Sequence, residues 1–335
     1  LIPLKEFRPK SCLRVAEHHI TRSKFPVIDA HNHLKNVTDV GALLAAMDEY
    51  NVERIVDLDG ETNGADTIQL ARLSQAHPDR FGVFIQIDAS RVDEPDFAAY
   101  VAERVADFAA RGALGIKFHK TLGLRVKDSK GVMIKPNDPR LRPIWEAAAK
   151  HKLPVTIHIA DPVAFFTTID HTNERFEELD EHPDWAFVDP MFYRYEELMT
   201  AQDDLLRSNP DTTFIVAHVG SYAEDLARAG KLLDTFPHVY VDTAERIAEL
   251  GRQPYSAREF LIKYQDRVLY GTDLYPREAN IAGNYRFFET FDEYFPYNDW
   301  DEHQQGRWNI YGVGLPDDVL KKIYRENAMR IIFNK

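Results

Sequence analysis

Eight short runs of β-branched and aromatic residues, each followed by a helical stretch or a long connection, limit what this chain can fold into more than any other feature. The runs fall at 27–28, 54–58, 81–87, 115–118, 154–157, 213–217, 239–241 and 268–270. Stretches such as 40–49, 97–110, 141–150 and 222–233 lie between them and place apolar residues at three- and four-residue spacing, the period of an amphipathic helix. Strands that alternate with helices build parallel sheets, and eight such units predict an α/β fold, the (β/α)8 TIM barrel. A length of 335 residues suits one such barrel. An open doubly wound sheet ranks second, because no Gly-rich dinucleotide turn follows the first run. Residues 1–24, with two prolines and scattered charge, read as an N-terminal extension, and residues 25–335 as the barrel. Long loops are expected after the fifth and eighth strands. A last helix at 317–332 carries Val319, Leu320, Ile323, Ala328 and Ile331 on one stripe and is expected to close the barrel.

Composition bounds the partners. With 41 Lys and Arg against 54 Asp and Glu, the net charge is −13. That balance argues against nucleic acid or an anionic membrane, both of which reward clustered cations. No run of about eighteen apolar residues occurs, so no membrane-spanning helix is expected. Cys12 is the only cysteine, which excludes an intrachain disulfide and a cysteine-based structural metal site. The chain starts at Leu1. A removed secretory leader and a trimmed start fit this equally, so the compartment stays open: cytoplasmic by default, exported if a leader preceded Leu1.

The chemistry gathers where the runs end. The first leads into Asp29-Ala30-His31-Asn32-His33, and residues two apart on a strand share a face, so His31 and His33 project together with Asp29 one step below. Two imidazoles on a rigid strand make a ready pair of ligands for a divalent metal. A lone His-x-His is common in polar loops, and the weight comes from the other strands. Lys117 and His119 end the fourth, His158 the fifth, His218 the sixth, Asp242 the seventh and Asp273 the eighth. In a barrel of this kind the catalytic groups come from those ends.

At these positions the sequence resembles the amidohydrolase superfamily, most closely amidohydrolase family 2, the branch that includes aminocarboxymuconate-semialdehyde decarboxylase. The similarity runs from Asp29 to the closing Ile323-Tyr324-Arg325-Glu326-Asn327-Ala328-Met329-Arg330. The resemblance implies one divalent metal held by His31, His33, His158 and Asp273, with His218 as a catalytic acid or base rather than a primary ligand. Three neutral imidazoles and a carboxylate leave a position for water or substrate. Zinc leads as the metal, and Mn, Fe or Co suits the same donors. Asp273 both touches the metal and orients water in this scheme, so His218 and Asp273 are the catalytic pair.

Lys117 carries two readings. Binuclear members of the superfamily hold a carbamylated lysine at the fourth strand, which would bring a second metal here. A free Lys117, paired with Asp273 or binding a substrate carboxylate, is preferred because the wider sequence resembles the mononuclear branch. His119 is read as lining the pocket or hydrogen-bonding behind it. The connection from Ala160 to about Pro190 offers Asp161, Phe165, Phe166, Asn173, Arg175 and Trp185, and a second runs from Tyr275 through Arg277, Tyr285 and Arg286 to Trp300 and Trp308. Such loops line the pocket of a compact anionic substrate, with Asp161 and Arg175 as the binding candidates, or they form the interface of a homo-oligomer. The leading functional expectation is a hydrolase that cleaves a C–N or C–O bond of a small molecule through metal-activated water. A lyase that decarboxylates or hydrates an unsaturated or aromatic acid is the alternative, and a non-catalytic metal-binding barrel stands third.

Overall fold

The computed structural model describes residues 2–3, 6–7, 9–60, 69–297 and 305–334, except the side chains of residues 278 and 279. Eight strands form one sheet in chain order: β1 (Val27–Asn32), β2 (Val52–Asp57), β3 (Phe81–Gln86), β4 (Gly115–Phe118), β5 (Val155–Ile157), β6 (Phe214–Val216), β7 (Val239–Asp242) and β8 (Val268–Leu269). Every neighbouring pair is parallel. Backbone hydrogen bonds from Ala30 N–H to the Tyr270 carbonyl (2.9 Å) and from Asp273 N–H to the His31 carbonyl (2.8 Å) bring β8 back to β1. The ring of strands is a (β/α)8 barrel with helices between its strands. No helix among the described residues is long and apolar enough to cross a membrane.

The alternation of side chains along each strand divides the core in two. Ile28, Ala30, Val56, Leu58, Phe84, Ile215 and Leu269 pack inside the ring, and Ala328 and Ile332 of the last helical segment join them. Their strand neighbours, such as Val27, Ile55, Val83, Val155 and Val241, pack outward against the helices. The interior is tight: a Cβ on Gly115 would lie 2.3 Å from the Phe84 ring, so β4 tolerates no side chain at that level.

Two segments differ from the sequence expectation. The stretch expected to be helical from 222 starts at Leu226, because the Asp225 carboxylate caps it by accepting from Arg228 N–H. The last helix is broken into Asp317–Lys321, a wide turn at Lys322–Glu326, and Asn327–Ile331. The wide turn turns Ile323 to give its carbonyl to Tyr270 N–H (2.9 Å), and Asn327 Nδ2 donates to the Val268 carbonyl (2.7 Å). Both contacts bind this segment to β8. At the other end of the chain, residues 9–24 carry no regular secondary structure. They are tied down where Arg22 donates to the carbonyls of Asp48 and Glu49 and where the backbone N–H of His18 donates to Asp292.

Candidate metal centre

Lys117, Thr156 and Asp242 point inward, since Ile116, Phe118, Val155, Ile157 and Val241 on either side of them pack outward. On β1 the alternation breaks. Ile28 and Ala30 face the interior, and strict period two would send His31 outward. Instead, shifts in the pairing with β2 between Asp29 and Asn32 turn the His31 ring into the barrel mouth. Asp29, expected below the two histidines, braces the backbone: it accepts from Thr272 N–H, Thr272 Oγ1, His31 N–H and Asn32 Nδ2. Gly271 permits the close approach, because a Cβ there would meet the His31 Cβ at 2.9 Å.

His31, His33, His158, His218 and Asp273 stand together at the C-terminal ends of the strands. Three of the imidazoles rest one nitrogen on an oxygen acceptor. His31 Nδ1 lies 2.8 Å from Asp242 Oδ2, His33 Nδ1 2.7 Å from Asp59 Oδ1, and His218 Nδ1 2.8 Å from the Ala244 carbonyl. These acceptors place the ring hydrogen on Nδ1 and leave a lone pair on each Nε2. The three Nε2 atoms face Asp273 at 3.7, 3.4 and 3.9 Å. Those distances are too long for hydrogen bonds. Lone pairs turned on a carboxylate repel one another unless a cation lies between them, and a histidine that ligates a metal characteristically gives its other N–H to a carboxylate or carbonyl, which fixes the ring. The donor set therefore fits a divalent metal. One atom each from His31, His218 and Asp273 lies within 4.8 Å of the others. His158 stands just behind, its Nδ1 3.2 Å from His218 Nε2 and its Nε2 3.3 Å from Asp161 Oδ1.

Electrostatics keep most of these imidazoles neutral, as a ligand must be. Burial lowers His31 far below its ordinary range, and Lys117 lowers it further. Burial also lowers His158 to about 4, and His218 falls well below its usual value for the same reason, reinforced by His158 and Arg246. His33 departs from this pattern: burial opposes its charge, but the hydrogen bond to Asp59 and the charge of Asp273 hold it above its ordinary value. Lys117 Nζ lies 3.3 Å from His31 Nε2, and burial brings its amine down to about 8. His119 packs on His33 with ring centroids 5.2 Å apart, and burial followed by the Lys117 charge lowers it to about 3.

Strained backbone surrounds the same point. His218 (φ 59°), Val219 (φ 57°), Ser221 (φ 62°), Glu245 (φ 50°) and Asp273 (φ 62°) all adopt the left-handed region that non-glycine residues avoid. Such strain collects at functional sites, where the surrounding structure holds it. The hydrogen bond from His218 N–H to Asp242 Oδ1 (2.8 Å) fixes the turn after β6 to the end of β7.

Other sequence candidates occupy different roles. Asp161 is buried and accepts from Lys120 Nζ at 2.7 Å; burial alone would raise it, but Lys120 and His158 hold it far below the carboxylate range. Arg175 lies inside the loop after β5, bonded to Glu178 at 2.7 Å and to Glu249. A substrate anion there would have to displace a glutamate. Tyr285 and Arg286 are used in packing, on the Tyr50 carbonyl and Asp292, and Trp300 lies outside the described residues. Asp59 was not singled out by the sequence, and Asp242 was placed at the end of the seventh strand without a role. Both carried a signal, a carboxylate at a strand end in Asp57-Leu58-Asp59 and in Val241-Asp242.

The family profile described as Amidohydrolase matches residues 14–333. The chain belongs to the amidohydrolase family. No curated protein sequence matches it. Among solved structures, 2,6-dihydroxybenzoate decarboxylase from Rhizobium is similar at 15% identity and a TM-score of 0.57, over 92% of this chain and 99% of that one. Dihydroxybenzoic acid decarboxylase from Polaromonas, with bound manganese and the inhibitor 2-nitroresorcinol, is similar at 16% identity and a TM-score of 0.56, over 93% and 98%. The 5-carboxyvanillate decarboxylase of Novosphingobium aromaticivorans, complexed with manganese, gives 13% identity and a TM-score of 0.56, over 95% and 100%. At these identities the likeness establishes the shared fold. An amidohydrolase-family enzyme with a divalent metal at the barrel mouth agrees with both the family and the donor set.

Proposed function

We propose that this amidohydrolase is a metal-dependent lyase that decarboxylates an aromatic or unsaturated acid. The observation that carries the reading is the convergence of three Nε2 lone pairs on Asp273 beside the buried cation Lys117. It is supported by the aromatic-acid decarboxylases among the similar structures. The hydrolytic alternative uses the same donors, and no contact in the site favours it.

The ion is proposed to be held by His31, His33, His158 and Asp273, and when bound it supplies a Lewis acid for the substrate's oxygens. Lys117 Nζ presents positive charge to the reacting carboxylate and orients it. His218 donates Nδ1–H to the Ala244 carbonyl, so its Nε2 is the free base, and it carries the transferable proton only after taking one up from solvent. As the bond between carbon and carboxylate breaks, its electron pair stays on the carbon, that carbon takes the proton from His218 Nε2, and carbon dioxide leaves. Giving up that proton restores His218 to its neutral form, with the lone pair back on Nε2. The closeness of His218 to His31 and Asp273 favours a second assignment, in which His218 ligates and His158 holds the proton.

Two single variants separate the assignments. His158→Ala is expected to lose metal and turnover together, and His218→Ala to keep the metal and lose turnover; the reverse exchanges their roles. The reaction class is tested with a panel of hydroxybenzoic acids, esters, lactones and amides. Carbon dioxide release, with deuterium from D2O on the vacated carbon, is the expected outcome. Cleavage of esters or amides without carbon dioxide would overturn it. Lys117 remains a free amine in this reading, and two metal equivalents per chain would instead indicate its carbamylated form.

A further inference from the structure

The loop after β5 is pinned at its start. Ala160 N–H donates to Ser221 Oγ (3.3 Å), in the turn that carries His218, and Val163 N–H donates to Glu224 (3.1 Å). Between these two anchors Asp161 is buried. Its Oδ2 accepts from Lys120 Nζ at 2.7 Å, and its Oδ1 lies 3.3 Å from His158 Nε2. The rings of Phe165 and Trp185, both from the same loop, flank the Lys120 ammonium with centroids 6.0 and 5.8 Å from Nζ, within range of a cation–π contact. Both oxygens of Asp161 therefore already face protein groups. His158 Nε2 is itself buried and forms no hydrogen bond of ordinary geometry. Among the described residues, Asp161 is the one carboxylate within 4.0 Å of it.

An ammonium only donates, and a carboxylate paired with it only accepts. The contact at Oδ1 is satisfied only when His158 carries its ring hydrogen on Nε2, which leaves the lone pair on Nδ1. That is the reverse of His31, His33 and His218, whose acceptors sit on Nδ1. Nδ1 is also the atom of His158 that turns to the centre, 3.2 Å from His218 Nε2. We infer that Asp161, held by Lys120, is a positioning residue that makes Nδ1 the donor atom of His158, and is not a group that binds substrate. The inference rests on the assignment of His158 as a ligand and holds for either reaction class. It also joins the loop to the centre: the residue that orients the ligand belongs to the loop, and its partner cation lies between two of the loop's aromatic rings.

The test uses the two ends of an amide. In Asp161→Asn the side-chain oxygen goes to Lys120, which can only donate, so the NH2 group faces His158 Nε2 and drives the ring hydrogen to Nδ1. Zinc affinity, read by competition with a chelator, is expected to fall by about tenfold or more. With Lys120→Met added, the amide is free to turn its oxygen to Nε2, and the double variant is expected to regain most of that affinity. A role in anchoring the loop alone predicts the opposite, because the double variant lacks both halves of the ion pair. Wild-type affinity in Asp161→Asn, or a double variant no better than the single one, overturns the inference. A second measurement needs no change at the pair. Nitrogen-15 NMR of the zinc-loaded, histidine-labelled wild type, assigned by comparison with His158→Gln, is expected to show the ring hydrogen of His158 on Nε2; a hydrogen on Nδ1 also overturns the inference. Zinc retained by His158→Gln strikes the ligand assignment, while a hydrogen on Nε2 still upholds Asp161 as the residue that orients the ring.

Discussion

At the scale of single residues, the centre is defined as much by what the histidines give away as by what they face. Asp242 accepts from His31 Nδ1 and from the backbone N–H of His218 through its two oxygens, so one carboxylate holds the His31 ring and the backbone that carries His218. Replacing it in Asp242→Asn offers His31 a donor where it needs an acceptor. The expected result is metal affinity weaker by about 10–100-fold, read by competition with a chelator; unchanged affinity would remove Asp242 from the centre. Glu245 gives a pH signature. Burial pushes its carboxyl up to about 8, with the Asp273 charge adding to the shift. A folded-state value above the unfolded one means that the native protein holds this proton more tightly, so its contribution to stability is complete below about 4.5 and is lost as pH rises through about 8. Glu245→Gln stays neutral throughout. Urea midpoints are therefore expected to show this variant gaining on the wild type as pH rises from about 4.5 to about 8, and a constant gap across that window would contradict the assignment.

At the scale of elements, the loop after β5 is held by charge. Its Arg175 guanidinium joins Glu178 on the short helix Phe176–Glu181 to Glu249 on the helix Ile247–Arg252. Removal of the cation in Arg175→Met strands two buried carboxylates, a change that costs about 3–5 kcal/mol where one partner of a buried pair is lost. A lower urea midpoint is expected. A variant of unaltered stability with weakened substrate binding would make Arg175 a ligand of the substrate instead. Sequence pattern located the elements well: the helices Val40–Glu49 and Phe97–Ala110 follow their apolar periodicity to the residue. It located the break in the final helix less well, since Lys322–Glu326 keeps its stripe while the backbone widens to reach β8. It also gave no sign that Arg175 would be internal, because a lone arginine in a long polar loop reads the same whether its partner is substrate or a glutamate 74 residues away.

At the scale of the whole molecule, the centre joins the ends of β1, β5, β6 and β8, so a bound ion ties distant parts of the ring together. Dialysis against a chelator is expected to lower the thermal midpoint, and manganese or zinc to restore it in a concentration-dependent way. Metal at a hundred times its dissociation constant adds about 2.7 kcal/mol. A midpoint indifferent to metal would argue against an ion at this place. The number and order of the strands, the inward and outward faces, and the histidines and aspartate at the strand ends were all legible in the sequence, because periods of two and 3.6 residues are local consequences of backbone geometry. Which histidine stands closest to Asp273 and the turn of His31 against its strand's alternation were decided only in three dimensions. Those properties depend on contacts between residues dozens or hundreds of positions apart, and no local period encodes the distance between two side chains on opposite walls of a barrel.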